Sequence, residues 1–62
     1  MNVQAFTQAV GGRRVLISVT GLSKGRISQW VTDNHIPRSW VKFLELRFPV
    51  ACRKHGIRDL TP

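Results

Sequence analysis

Apolar residues recur at helical spacing along most of the chain, and each run is closed by a residue type that ends helices. Asn2 is placed to cap a first helix whose apolar positions Val3, Phe6 and Val10 fall at i, i+3 and i+7, and Gly11-Gly12 ends it. Arg13 to Thr20 is expected to form a second helix. Its VLISVT core is rich in β-branched residues and would also suit a strand. The flanks decide for helix: glycine before, glycine after, and a capped helix directly following. Gly21 is the pivot, because the chain must turn sharply there and glycine adopts φ > 0 without a Cβ clash.

Ser23 is expected to cap a third helix, Lys24 to about Asp33, by accepting a first-turn N–H, with Leu22 placed to pack on Ile27. Ile27, Trp30 and Val31 then form one buried stripe. Asn34 is a left-handed terminator, and His35 and Ile36 precede Pro37 in extended form. Pro37 suits the first turn of a fourth helix running through Arg47, where its missing N–H costs nothing. Trp40, Phe43, Leu44 and Arg47 recur at three and four, so Trp40, Phe43 and Leu44 are expected to cover the core. Pro49 stops that helix. VACRKHG adds one or two helical turns ending at Gly56, and residues 57–62 are expected to be a loose tail. No pair of alternating runs flanks a turn dipeptide, which argues against a C-terminal hairpin. The expected fold is all-α, a compact four- to five-helix bundle containing a helix-turn-helix, without β-sheet, as one domain over residues 1–62.

A short helix, a tight turn and a second helix with a polar outer face are how many small proteins read duplex DNA. Here that outer face comprises Lys24, Gly25, Ser28, Gln29 and Thr32, with the cap Ser23 at its start and no acidic group expected on it. These six are the candidate base contacts. Gln29 is the best of them, since its amide can pair bidentately with adenine N6 and N7. Gly25 would let the helix backbone approach the groove closely. Arg13, Arg14, Arg26 and Arg38 are candidate phosphate ligands, as Lys24 also is. Arg13 and Arg14 start the second helix and Arg38 the fourth, where N–H groups and the dipole already favour an anion. Asn34 and His35 are candidates for backbone contacts as well, Asn34 with the competing role of helix terminator.

The pattern Gly21-Leu22-Ser23, three residues, then Ile27-Ser28-Gln29-Trp30 resembles the helix-turn-helix of Cro-type phage repressors. The Ile36-Pro37 restart is similar to that family and to other small lambdoid regulators. Residues 3–48 can be laid on the family pattern. One position departs from it: the family usually has a small residue four positions before the turn glycine, and this chain has Ile17. That implies either slightly splayed helices or a first motif helix shifted by one residue. The resemblance implies a repressor that occupies an operator overlapping a promoter and excludes polymerase, in the cytoplasm of a bacterial or phage-infected cell.

Composition points the same way. Ten Lys and Arg stand against three Asp and Glu, a net charge of +7 that favours a polyanionic partner. A chain of 62 residues buries only roughly 60% of its unfolded surface and should be marginal alone. A single cysteine allows no intrachain disulfide, so association is the remaining source of stability. A homodimer is expected, formed in solution or only on DNA, with Leu46, Phe48 and Val50 as the candidate interface. The lone Cys52 suits a reducing compartment.

Other chemistries find little support. Cys52 and His55 stand at i, i+3, but a structural zinc site takes four ligands, so no metal is expected. No cofactor, small-molecule substrate or catalytic constellation can be assembled. Trp30 and Trp40 share helical spacing with core positions, which favours packing over base stacking. The longest aliphatic run, Val15-Leu16-Ile17, is far too short for a membrane span. The expected activity is sequence-specific binding of duplex DNA. The rival expectations are an antitoxin-type regulator and a protein-interaction adaptor with an incidental helix-turn-helix.

Overall fold

Asn2 opens the first helix as a cap: its side-chain oxygen accepts the Ala5 N–H at 3.0 Å. In the computed structural model, which describes residues 1–58, five helices follow from such local signals. They are α1 (Val3–Ala9), α2 (Arg13–Thr20), α3 (Lys24–Asp33), α4 (Arg38–Arg47) and α5 (Pro49–His55). The fold is all-α, with no strand among the described residues. The VLISVT stretch is helical, so flanking stop signals outweigh β-branched propensity, which is a weak prior of tenths of a kcal/mol per residue.

Two turns depend on glycine. Gly21 has φ 74° and its N–H closes α2 on the Ile17 carbonyl at 2.8 Å. Gly11 has φ 117°, and a Cβ there would lie 2.7 Å from a Val15 methyl, so no larger residue fits. The turn after α2 is further tied by Thr20. Its hydroxyl donates to the Leu16 carbonyl at 2.7 Å and accepts the Leu22 N–H at 3.1 Å. Ser23 then caps α3 by accepting the Arg26 N–H at 3.2 Å. The bounds of α2 are those expected, so Ile17 does not mark a shift of register. It is half-buried at the edge of the core.

α1 is the hub. It packs on α2, α3 and α5, while α2 packs on α3 and α4 on α5. Val3 and Phe6 of α1, Leu16 of α2 and Ile27 and Trp30 of α3 are buried together with residues of α4 and α5. Thr7 is buried too, its hydroxyl satisfied by the Val3 carbonyl at 2.7 Å.

Three expectations need correction. On α4 the inward stripe is Val41 and Leu44 with half-buried Trp40, whereas Phe43 is 38% exposed. Both faces of that helix carry large apolar residues, so the pattern did not single out one. Pro37 is the cap of α4 rather than its first-turn residue, with φ −55° and ψ 143°. Pro49, by contrast, both ends α4 and starts α5, where its lack of an N–H is harmless. Ile57 is no part of a loose tail: it is 1% exposed, and its N–H bonds the Cys52 carbonyl at 2.8 Å beyond the left-handed Gly56. Residues 59–62, the remainder of the expected tail, lie outside the described residues.

Candidate nucleic-acid interface

α3 is held from one side. Ile27 and Trp30 are buried, while Lys24, Gly25, Gln29 and Thr32 are exposed and Ser28 is half-buried. At 100° per residue, Lys24, Gly25, Ser28, Gln29 and Thr32 fall on one face, opposite the buried stripe. The structure thus brings five of the six candidate base contacts together, with exposed Ser23 at the start of the helix. Gly25 has no packing reason to be glycine. A Cβ there would meet only the Ser23 hydroxyl, at 4.0 Å.

One acidic group does border this face, contrary to expectation. The Gln29 amide nitrogen donates to the Asp33 carboxylate at 2.9 Å across one helical turn. From local sequence alone Asp33 marks only the end of the helix. The i, i+4 spacing is the signal that could have revealed it.

Exposed cations lie on three of the helices. Arg13, Arg14, Arg26 and Arg38 are all exposed, and Arg26 sits in the first turn of α3. The cap positions of α2 and α4 are Gly12 and Pro37, and neither makes a side-chain cap bond. The helix dipole adds positive potential at each end, beside Arg13, Arg14 and Arg38. A groove beside Arg13 is lined by Gln4, Gln8, Gly12 and Val31. Gln4 and Gln8, one turn apart on α1, add amides to this surface that the sequence reading did not single out.

Asn34 has a structural role of its own. It is left-handed (φ 51°, ψ 45°) as expected of a terminator, and its amide makes two bonds to the amino-terminal segment. Its oxygen accepts the Val3 N–H at 2.9 Å and its nitrogen donates to the Met1 carbonyl at 2.8 Å. The residue therefore anchors the end of α3 to the start of α1. His35 is exposed, with its backbone N–H bonded to the Trp30 carbonyl at 3.1 Å.

The candidate interface residues part company. Leu46 is 87% and Val50 71% exposed. Phe48 is instead half-buried, edge-on to Phe6 at 6.2 Å between ring centres and covered by the Arg47 guanidinium at 4.7 Å. It belongs to the core margin because the chain bends there (φ −131°, ψ 63°), turning its ring toward α1. Phe43, one turn before Leu46 and Arg47, joins the exposed apolar set instead.

Cys52 is buried, and that burial, with the Glu45 carboxylate adding to it, pushes its thiol up to about 11. It is a small core residue, protonated at neutral pH. Trp30 and Trp40 pack on one another at 6.1 Å, and Trp40 on Phe43 at 5.7 Å, so the indoles serve packing. No helix among the described residues is long and apolar enough to cross a membrane. Comparison of the chain with protein-family models, curated proteins and solved structures found no match.

Proposed function

We propose that this protein is a sequence-specific regulator of transcription that binds double-stranded DNA, a Cro-like repressor acting as a homodimer on a palindromic operator. The observation that carries this reading is the outward polar face of α3, seated by Ile27 and Trp30, in a chain of net charge +7 with exposed arginines on α2, α3 and α4. An α-helix of this kind fits the major groove, where Gln29, Ser28, Thr32, Lys24 and Ser23 reach base edges and Arg13, Arg14, Arg26 and Arg38 hold phosphates. His35 adds a backbone contact at the end of the helix. The protein binds and excludes; it catalyses nothing and needs no cofactor. It works in the cytoplasm of a bacterial or phage-infected cell.

Size argues for two copies. The longest dimension of the molecule is 30 Å, while successive major-groove faces lie about 34–36 Å apart. One subunit cannot read both half-sites. Exposed Leu46, Val50 and Phe43 supply apolar surface for the second copy. The same exposed side chains favour the rival reading, an adaptor whose partner is another protein. Selection from random duplex DNA separates the two. An enriched inverted repeat is the expected outcome, and recovery of unselected sequences would sink the regulator reading.

Gly25 gives a second check with opposing signs. Gly25→Ala should raise thermal stability, because Ala in an exposed helix interior is better than Gly by about 1 kcal/mol and nothing obstructs the methyl group. Operator affinity should nevertheless fall, since the added carbon keeps the helix backbone off the groove floor. A melt followed by a binding titration measures both. Equal or tighter binding would mean that α3 does not lie against DNA at Gly25.

A further inference from the structure

Asp33 stands where a carboxylate is unwelcome. It is the last residue of α3, at the negative end of the helix dipole, and it is exposed beside the face proposed to meet a polyanion. Among the described residues it forms no ion pair. Its hydrogen-bond partner is the Gln29 amide, at 2.9 Å.

That bond has a stereochemical consequence. A carboxylate only accepts, so the nitrogen of the Gln29 amide, not its oxygen, must face Asp33. Without such a partner the two ends of the amide exchange freely by rotation about χ3. With it, one Nε2 proton is committed to Asp33, while the other and the Oε1 acceptor remain for a ligand. A donor beside an acceptor, in fixed order, complements N7 and N6–H of adenine in the major groove. Guanine offers two acceptors, N7 and O6, and would set its O6 against Oε1. Arg26, three residues before Gln29 on the same stripe, keeps the local field attractive to DNA despite the acid.

We propose that Asp33 is a positioning residue for base recognition: it fixes the orientation of the Gln29 amide and so biases one position of the operator toward adenine. This rests on the DNA-binding reading above and adds to it which residue sets the selectivity. Asp33 acts through Gln29 and need not touch the base.

The signature is a split between affinity and selectivity. Asp33→Asn removes a negative charge, so binding to all duplexes should tighten. An Asn, however, both donates and accepts, and tolerates either orientation of Gln29. The preference for adenine at one base pair should therefore drop from about tenfold or more to a small residual. Asp33→Glu, which keeps an acceptor-only partner, should retain most of it. Gln29→Ala should abolish preference at that same base pair, and adding Asp33→Asn to it should remove nothing further. The measurement is competition, at fixed salt, between the selected duplex and duplexes changed at single base pairs, with thermal melts of each variant as the folding control.

If Asp33→Asn binds more tightly with its base preference intact, Asp33 is merely a charge and the proposal is overturned. The proposal also falls if Gln29→Ala keeps every preference, since Gln29 then reads no base; in both cases DNA binding itself stands. Absence of any duplex binding by the wild-type protein at low salt would overturn the functional reading, and this inference with it.

Discussion

Raising the salt from about 50 to about 200 mM should weaken operator binding by three to four orders of magnitude. In the proposed dimer each subunit would offer the exposed Arg13, Arg14, Arg26 and Arg38. With about three or four phosphates neutralised per subunit, a dimer releases counterions from about six to eight. At −0.9 per phosphate, log affinity against log salt should have a slope of about −5 to −7. A fourfold rise in salt then gives the stated loss. Arg14→Ala in both subunits should flatten the slope by about 2 and weaken specific and non-specific duplexes alike, because phosphates carry no sequence information. Gln29→Ala should leave the slope alone. A wild-type slope near −1 would rule out this docking, and is what an adaptor with incidental DNA affinity would give.

Replacing Phe6 by Ala should lower the melting temperature by about 12–40 °C, at about 4–8 °C per kcal/mol lost. Phe6 is fully buried on the hub helix and meets Phe48 edge-on. Truncating a buried Phe typically destabilises by about 3–5 kcal/mol. A domain of 62 residues has roughly 3–9 kcal/mol in total, at 0.05–0.15 per residue. The loss is therefore at least about a third of the total and can equal all of it. Phe43→Ala is the matched control: the same truncation at a ring already 38% exposed should shift the melting temperature only slightly. Phe48→Ala should fall between them, since its ring is half-buried. Circular dichroism melts of the three variants test the order. A Phe6→Ala protein that melts within a few degrees of wild type would mean the core has been misplaced.

The sequence made the helices legible because most of their ends are written in single residues. Asn2, Ser23, Gly21, Asn34 and Gly56 each act through their own backbone angle or a bond to a neighbour within three or four positions. Such local chemistry needs no knowledge of the fold. The outward face of α3 was legible for the same reason, as Ile27 and Trp30 fix the rotation of the helix. What escaped depends on contacts distant in sequence or on ambiguous faces. The Asn34 amide bridges to Met1 and Val3, more than thirty residues away, and no local pattern marks that. Ile57 lies beyond a helix-ending glycine, and only the packing of the other helices makes a place for it. On α4, Phe43 was expected inward with Trp40 and Leu44, and Val41 is buried in its place; large apolar residues on both faces leave the rotation of the helix to its packing. The Gln29–Asp33 pair was within reach of local spacing, but required treating a helix-terminal acid as part of the site.

The Asn2 N–H donates to the His55 carbonyl at 3.0 Å, and α1 packs along α5. Terminal helices ordinarily fray independently of the body of a domain. Here the first helix cannot loosen without uncovering the fifth and disturbing the Asn34 anchor at the end of α3. The start of α1 is in this sense fastened from two sides, by α5 and by the end of α3. The native state should therefore exchange the Asn2 and Val3 amides only through global opening, as if those residues lay mid-sequence.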